Sequence, residues 1–247
     1  MGLKEKQFKE VHMAETANRS KMAELLSQDI FPELGWEREG PLNTNWKCEN
    51  QDHHKDTHPT DIVFSYKDPY EPYRTYVNCD LKSYSSKSVE DKGRLRGALE
   101  SLSMATGCAQ RSSEWQSKYI RSDENANIVG LLFIYNHDGL YDKDFSGLLI
   151  RATEERLPLA RTNRVFVLSP QEVCTLQTII TDIDTSRGRN QLPPRELCSF
   201  FYPDQVSRVV NKRDWKLPAT LEMLKSSQLV IRHKSNQIGR ASCRERV

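Results

Sequence analysis

The 247-residue chain is 37% hydrophobic and 28% charged, with 36 Lys+Arg against 34 Asp+Glu. This composition fits a soluble, ordered protein of one or two domains, and its longest apolar run, Ile128–Tyr135, is far too short for a bilayer-crossing helix of about 20 residues. Ile238–Val247 reads as a translated sequencing adaptor; without its three arginines and one glutamate the charges balance, so net basicity gives no argument for nucleic-acid binding. The remaining cysteines, Cys48, Cys79, Cys108, Cys174 and Cys198, are odd in number and scattered. That distribution opposes a disulfide framework and, with no secretory signal in view, points to a reducing, cytoplasmic setting.

In chain order, residues 6–26 predict a helix with Phe8, Val11, Met13, Ala17, Met22, Leu25 and Leu26 on one stripe, closed by Pro32 and Gly35. A first strand is expected between Trp36 and Lys47, and a polar, His-rich loop over residues 48–60. Strands are expected next over 61–66 and 75–84, joined by the turn-rich Lys67–Arg74 as a hairpin. Ser88 to Asp91 reads as a capping box opening a helix that buries Leu95, Ala98, Leu99, Leu102 and Ala105. The continuous apolar run Ile128–Tyr135 predicts a central strand covered on both faces. A helix near 145–156 and a strand over 164–168 come next. Ser169-Pro170-Gln171-Glu172 is a strong helix start, with Val173, Leu176, Ile179, Ile180 and Ile183 as its buried stripe. Weaker strands at 197–202 and 228–233 flank a short helix near 220–225. The order combines an antiparallel hairpin with parallel crossovers in one sheet.

The chemistry concentrates in His58-Pro59-Thr60-Asp61 and Asp80-Leu81-Lys82. With a strand's period of two, Asp80 and Lys82 project from one face while Val77, Cys79 and Leu81 project from the other. Two carboxylates and an ammonium converging there are costly without a bound partner, and a hard divalent cation suits them.

These residues in this order of elements resemble the PD-(D/E)XK nuclease superfamily, over roughly Phe8 to Arg187. The motif stands here as Pro59-Thr60-Asp61 and then Asp80-Leu81-Lys82. The resemblance implies a restriction-endonuclease-like, three-layer α/β/α core with a mixed sheet. It implies Mg²⁺ (Mn²⁺ in its place) on Asp61, Asp80 and the Leu81 carbonyl, with Lys82 beside the attacking water. A glutamate from the first helix joins such sites; Glu24 is the choice and Glu15 the rival. The expected activity is phosphodiester hydrolysis, in DNA, of a restriction, defence or repair type, with a homodimer or partner subunit for double-strand cutting. Two other readings stay open: a non-catalytic binding module on the same fold, and an unrelated α/β protein carrying the motif by chance.

Further residues have a functional and an ordinary reading. Ser83, Tyr84, Ser85, Lys87 and Arg94 lie just past the triplet and are candidates for nucleic-acid contacts, or simply a solvated surface. Cys48, His53, His54 and His58 invite a zinc reading, but C-x₄-H-H-x₃-H is not a recognised finger spacing. A polar loop near the active cleft is the expectation, with His58 as a candidate neighbour of the metal or phosphate. The expected organisation is a nuclease core over 1–187, a truncated extension over 188–237 and the adaptor-like segment over 238–247.

Overall fold

The computed structural model describes residues 21–22, 25–121, 125–154, 164–204, 210, 214–226, 228–234 and 242–245. Most of the expected leading helix, including Glu15 and Glu24, therefore lies outside the described residues. A π-helical turn, Leu26–Ile30, runs into the short helix α1 (Phe31–Glu33), with Pro32 in its first turn. Gly35 then turns the chain at φ +79°, a conformation open to glycine because it has no Cβ.

The single strand expected between Trp36 and Lys47 is two strands, β1 (Glu37–Glu39) and β2 (Thr44–Lys47). Gly40 (φ +57°) and Asn43 (φ +50°) break the run, and Pro41 between them donates no ladder hydrogen bond. The expected loop over residues 48–60 also needs correction. Its last third is β3 (Thr57–Thr60), paired antiparallel with β2 in a two-stranded ribbon. Pro59 is tolerated there because β3 belongs to a narrow ribbon with an open edge.

The main sheet has five strands in the order β1-β4-β5-β6-β7, with β4 (Ile62–Lys67), β5 (Arg74–Tyr84), β6 (Ala126–Asn136) and β7 (Val165–Leu168). β1, β4 and β5 are antiparallel; β5, β6 and β7 are parallel. Between β5 and β6 run α2 (Ser86–Val89), α3 (Lys92–Ala109) and α4 (Ser113–Tyr119). The capping box expected from Ser88 to Asp91 is instead two separate caps. Ser85 accepts the Ser88 N–H to open α2, and Asp91, itself extended at φ −75° and ψ 101°, accepts the Arg94 N–H to open α3. α4 was not visible in the sequence: it is short, and only Trp115 and Tyr119 on it are buried.

Helices cover both faces of the sheet. On one face Ile62, Phe64, Val77, Cys79, Leu81, Leu131 and Phe133 pack against Phe31, Trp36 and α6 (Pro170–Gly188). On the other, Leu132 and Ile134 pack under Leu95, Leu99 and Leu102 of α3 and under α5 (Phe145–Thr153). A third cluster, toward the far end of α3, gathers Trp46, Val63, Tyr76, Cys108 and Trp115. Gly130 on central β6 lets α3 approach closely, since a Cβ there would stand 2.7 Å from Thr106 Oγ1. The result is a three-layer α/β/α core around a mixed sheet.

β8 (Cys198–Phe200), α7 (Leu221–Leu224), β9 (Gln228–His233) and β10 (Ser242–Glu245) come after α6, and β8, β9 and β10 form a small antiparallel sheet. β10 falls within the segment expected to be adaptor-derived. Phe200, Leu221, Leu224 and Leu229 join the same apolar cluster as Phe31 and Trp36. The Trp36 indole donates to the Ala219 carbonyl at 2.6 Å, which ties this segment to the entrance of the main sheet.

The capping box at Ser169 forms as expected, with Glu172 accepting the Ser169 N–H at 2.8 Å and also pairing with Lys225. Burial disfavours the charged Glu172 carboxylate, but the Lys225 ammonium and the Ser169 donors outweigh it and hold the pKa below the usual range. A folded pKa below the unfolded one stabilises the fold above the unfolded value, near 4.5, and that gain is lost as pH falls through the folded value. Glu172→Gln is therefore expected to lower the melting temperature by about 3 °C at pH 7. The gap should narrow as pH falls below about 4.5 and close once the folded carboxyl is protonated, as thermal melts across pH will show.

Candidate active site

The last ladder pair between β4 and β5 is Ile62 with Cys79. One residue further on, Asp61 stands beside Asp80. Asp61 lies at a bend between β3 and β4, its carbonyl accepting the Asn43 N–H at 2.8 Å and its Oδ2 accepting the Leu81 N–H at 2.8 Å. Lys82, two residues beyond Asp80 on the same face, donates to Asp80 Oδ1 at 2.6 Å. The Asp80 and Lys82 side chains are 17% and 16% exposed, open enough for a ligand and dry enough for their charges to interact strongly. The nearness of both carboxylates registers on Cys79 behind them, whose thiol is pushed up by burial and then by Asp61 and Asp80.

The bend is fixed from below by a buried polar network. Thr60 donates its hydroxyl to Asn78 Oδ1 at 3.1 Å and accepts the indole N–H groups of Trp46 at 3.0 Å and Trp115 at 3.2 Å. Three elements are thus tied to the residue preceding Asp61. Thr60→Val keeps the shape but strands two buried indole donors, each worth about 1–3 kcal/mol when unsatisfied. The expected loss is about 3 kcal/mol, read as a fall in melting temperature of roughly 10 °C.

The other candidates are spread more widely. Ser83 lies on the opposite face of β5 from Lys82, 5% exposed, with its hydroxyl 3.3 Å from His137 Nδ1. Tyr84 shares the Lys82 face and is buried, with the Arg94 guanidinium 5.6 Å above its ring. Ser85 is engaged in capping α2, while Lys87 and Arg94 are exposed on α2 and α3. His58 does not face Asp61 and Asp80. It is fully buried on β3, with Nε2 3.0 Å from Cys48 Sγ, and burial together with the charge of His53 and Lys55 pushes its pKa down to about 4. The expected polar loop near the cleft is in fact a cluster of Cys48, His53, His58 and Cys108, joined by Cys108 from the end of α3. His54, at φ 48°, is not part of it. A cavity of about 310 Å³ opens beside Arg74 at the start of β5, roughly 20 Å along the strand from Asp80.

A family model described as the GAPS4 protein PD-(D/E)XK nuclease domain matches residues 13–172, well over half of the chain. The chain belongs to this family. The match takes in all five strands of the main sheet and both crossovers, and it contains Asp61, Asp80 and Lys82. No curated protein and no solved structure matches the chain.

PD-(D/E)XK nucleases generally use divalent metals, and the donor set here fits one. Asp61 and Asp80 offer oxygen ligands only, the preference of Mg²⁺. Two carboxylates against one ammonium leave a net negative charge for a cation to neutralise. The Cys48–His53–His58–Cys108 cluster has the opposite character, soft sulfur and imidazole donors, and does not suit Mg²⁺.

Proposed function

We propose that the chain hydrolyses phosphodiester bonds in DNA with Mg²⁺, or Mn²⁺ in its place, bound by Asp61 and Asp80. The observation that carries this reading is the junction of the two acids at the β4–β5 step, with Lys82 reaching Asp80 from the same face. The Leu81 carbonyl completes the proposed site, with a glutamate of the leading segment (Glu24, or its rival Glu15) as the further acid that lies outside the described residues. A divalent ion bound there polarises the scissile phosphate and acidifies an attacking water.

The chain's own groups supply the rest. Lys82, which reaches Asp80 from the same face, would offer an ammonium donor to the attacking water and to the phosphate oxygens where negative charge builds. Asp61 is held for its role by the Leu81 N–H, and its bend by the Thr60 network. Ser85, Lys87 and Arg94, on the turns just past the end of β5, position the phosphate backbone. Stacking of Arg94 on Tyr84 keeps that guanidinium near the site. Ser83 faces the other side of β5, with its hydroxyl 3.3 Å from His137 Nδ1, and has no part in holding the phosphate.

We place the enzyme in the cytoplasm, in restriction, defence or repair, where double-strand cutting calls for two such sites and hence a homodimer or partner subunit. Among the described residues no helix is long and apolar enough to cross a membrane. The test is incubation with plasmid, single-stranded DNA and RNA in Mg²⁺, Mn²⁺ or EDTA. Cutting of DNA with either metal and none in EDTA is expected. Failure to cut any substrate would overturn the reading, and cutting of RNA alone would overturn its DNA part.

A further inference from the structure

The Cys48–His53–His58–Cys108 cluster has no place in the nuclease chemistry. Around a tetrahedral zinc, with Zn–S about 2.3 Å and Zn–N about 2.0–2.1 Å, ligand atoms stand roughly 3.8 Å apart for two sulfurs, 3.5 Å for sulfur and nitrogen, and 3.4 Å for two nitrogens. Here Cys48 Sγ and Cys108 Sγ are 3.8 Å apart. His53 Nδ1 and His58 Nε2 are 3.4 Å apart. The sulfur–nitrogen edges measure 3.5 Å (Cys48 to His53), 3.3 Å (Cys108 to His53) and 3.0 Å (Cys48 to His58). All four ligand atoms lie within 4.8 Å of one another. The two sulfurs are nearly twice a disulfide bond apart, and both cysteines are free.

We propose that Cys48, His53, His58 and Cys108 form a closed Cys₂His₂ structural zinc site. Four protein ligands fill a tetrahedron and leave no open position, the mark of a structural rather than a catalytic zinc. His58 and Cys108 are completely buried, so the polar atoms gathered here are costly to leave without a shared partner.

The site's place in the fold gives it a role. Cys48 comes directly after β2, His58 lies on β3, and Cys108 ends α3. One ion would bind the β2–β3 ribbon to a helix roughly fifty residues away, closing a long loop. His58 precedes Asp61 by three residues, roughly 10 Å of extended strand, so the ion would also anchor the strand that delivers Asp61.

The test is the metal content of protein purified without a metal-affinity resin, measured after dialysis against metal-free buffer. One zinc per chain is expected, falling below about 0.1 in Cys108→Ser and His58→Ala and unchanged in Asp61→Asn/Asp80→Asn. If the cluster variants fail to fold, the wild-type protein decides. A mercurial that blocks thiols should release one zinc per chain, and Co²⁺ in its place should show the visible bands of a tetrahedral thiolate site. Zinc well below one per chain, iron in its place, a Cys48–Cys108 disulfide, or zinc retained by the cluster variants would overturn the proposal. None of these outcomes depends on nuclease activity.

Discussion

Asp80→Asn is expected to lower DNA cleavage by about 10³-fold or more while leaving the protein folded. The substitution keeps the side chain's size and removes the charge that, with Asp61, would hold the cation. Loss of that Lewis acid removes several kcal/mol of transition-state stabilisation, and each 1.36 kcal/mol is tenfold in rate. Stability moves little because two effects oppose each other. Lys82 loses its partner at 2.6 Å, but Asp61 is relieved of a neighbouring like charge. A shift in melting temperature within about 4 °C is expected. Single-turnover cleavage in Mg²⁺, measured beside a thermal melt, checks both halves. A variant cutting within tenfold of wild type would remove Asp80 from the mechanism.

Phe31→Ala should have the largest effect on the fold. Phe31 is fully buried, with its ring centroid 4.6 Å from that of Trp36, 4.4 Å from Phe64 and 6.5 Å from Phe133. It joins the chain's entry segment to β4 and β6, and through Trp36 and Ala219 to the C-terminal sheet. Truncating a buried phenylalanine costs about 3–5 kcal/mol, from lost burial and from the cavity left behind. At roughly 2–4 °C per kcal/mol for a chain of this size, the melting temperature should fall by about 12 °C or more. A melt within about 2 °C of wild type would mean that this aromatic junction contributes little.

The parts of the structure that were legible in the sequence are those with a strong local signal. Ile128–Tyr135 is apolar throughout because β6 is covered on both faces, and alternation along β5 correctly placed Asp80 with Lys82. Ser169-Pro170-Gln171-Glu172 forms the helix start it spells. The misses have physical causes of equal clarity. β3 is Thr-His-Pro-Thr, with neither apolar alternation nor β-rich composition, and becomes a strand only by pairing with β2. α4 is too short to show a helical period. At Ser88–Asp91, Ser85 and Asp91 each make a cap, and spacing alone does not choose among Ser85, Ser88 and Asp91.

Cys108 shows the limit most clearly. Its partners Cys48, His53 and His58 sit together in a stretch whose spacing reads as a polar loop, and the fourth member of the cluster lies far along the chain on a helix. Only the packing of α3 against β3 brings it in. The same holds for Thr60, whose two indole partners come from β2 and α4. For Asp61, the sequence supplied the acid and the strand start, while the bend and the Leu81 N–H that hold it arise from tertiary contacts.

The most direct measurement is anomalous diffraction from crystals of the protein soaked in Mn²⁺. A peak bridging Asp61 and Asp80, within about 2.2 Å of an oxygen from each, is the predicted result. A peak elsewhere in an otherwise well-ordered molecule, or none while both carboxylates are exposed to the soak, would contradict it.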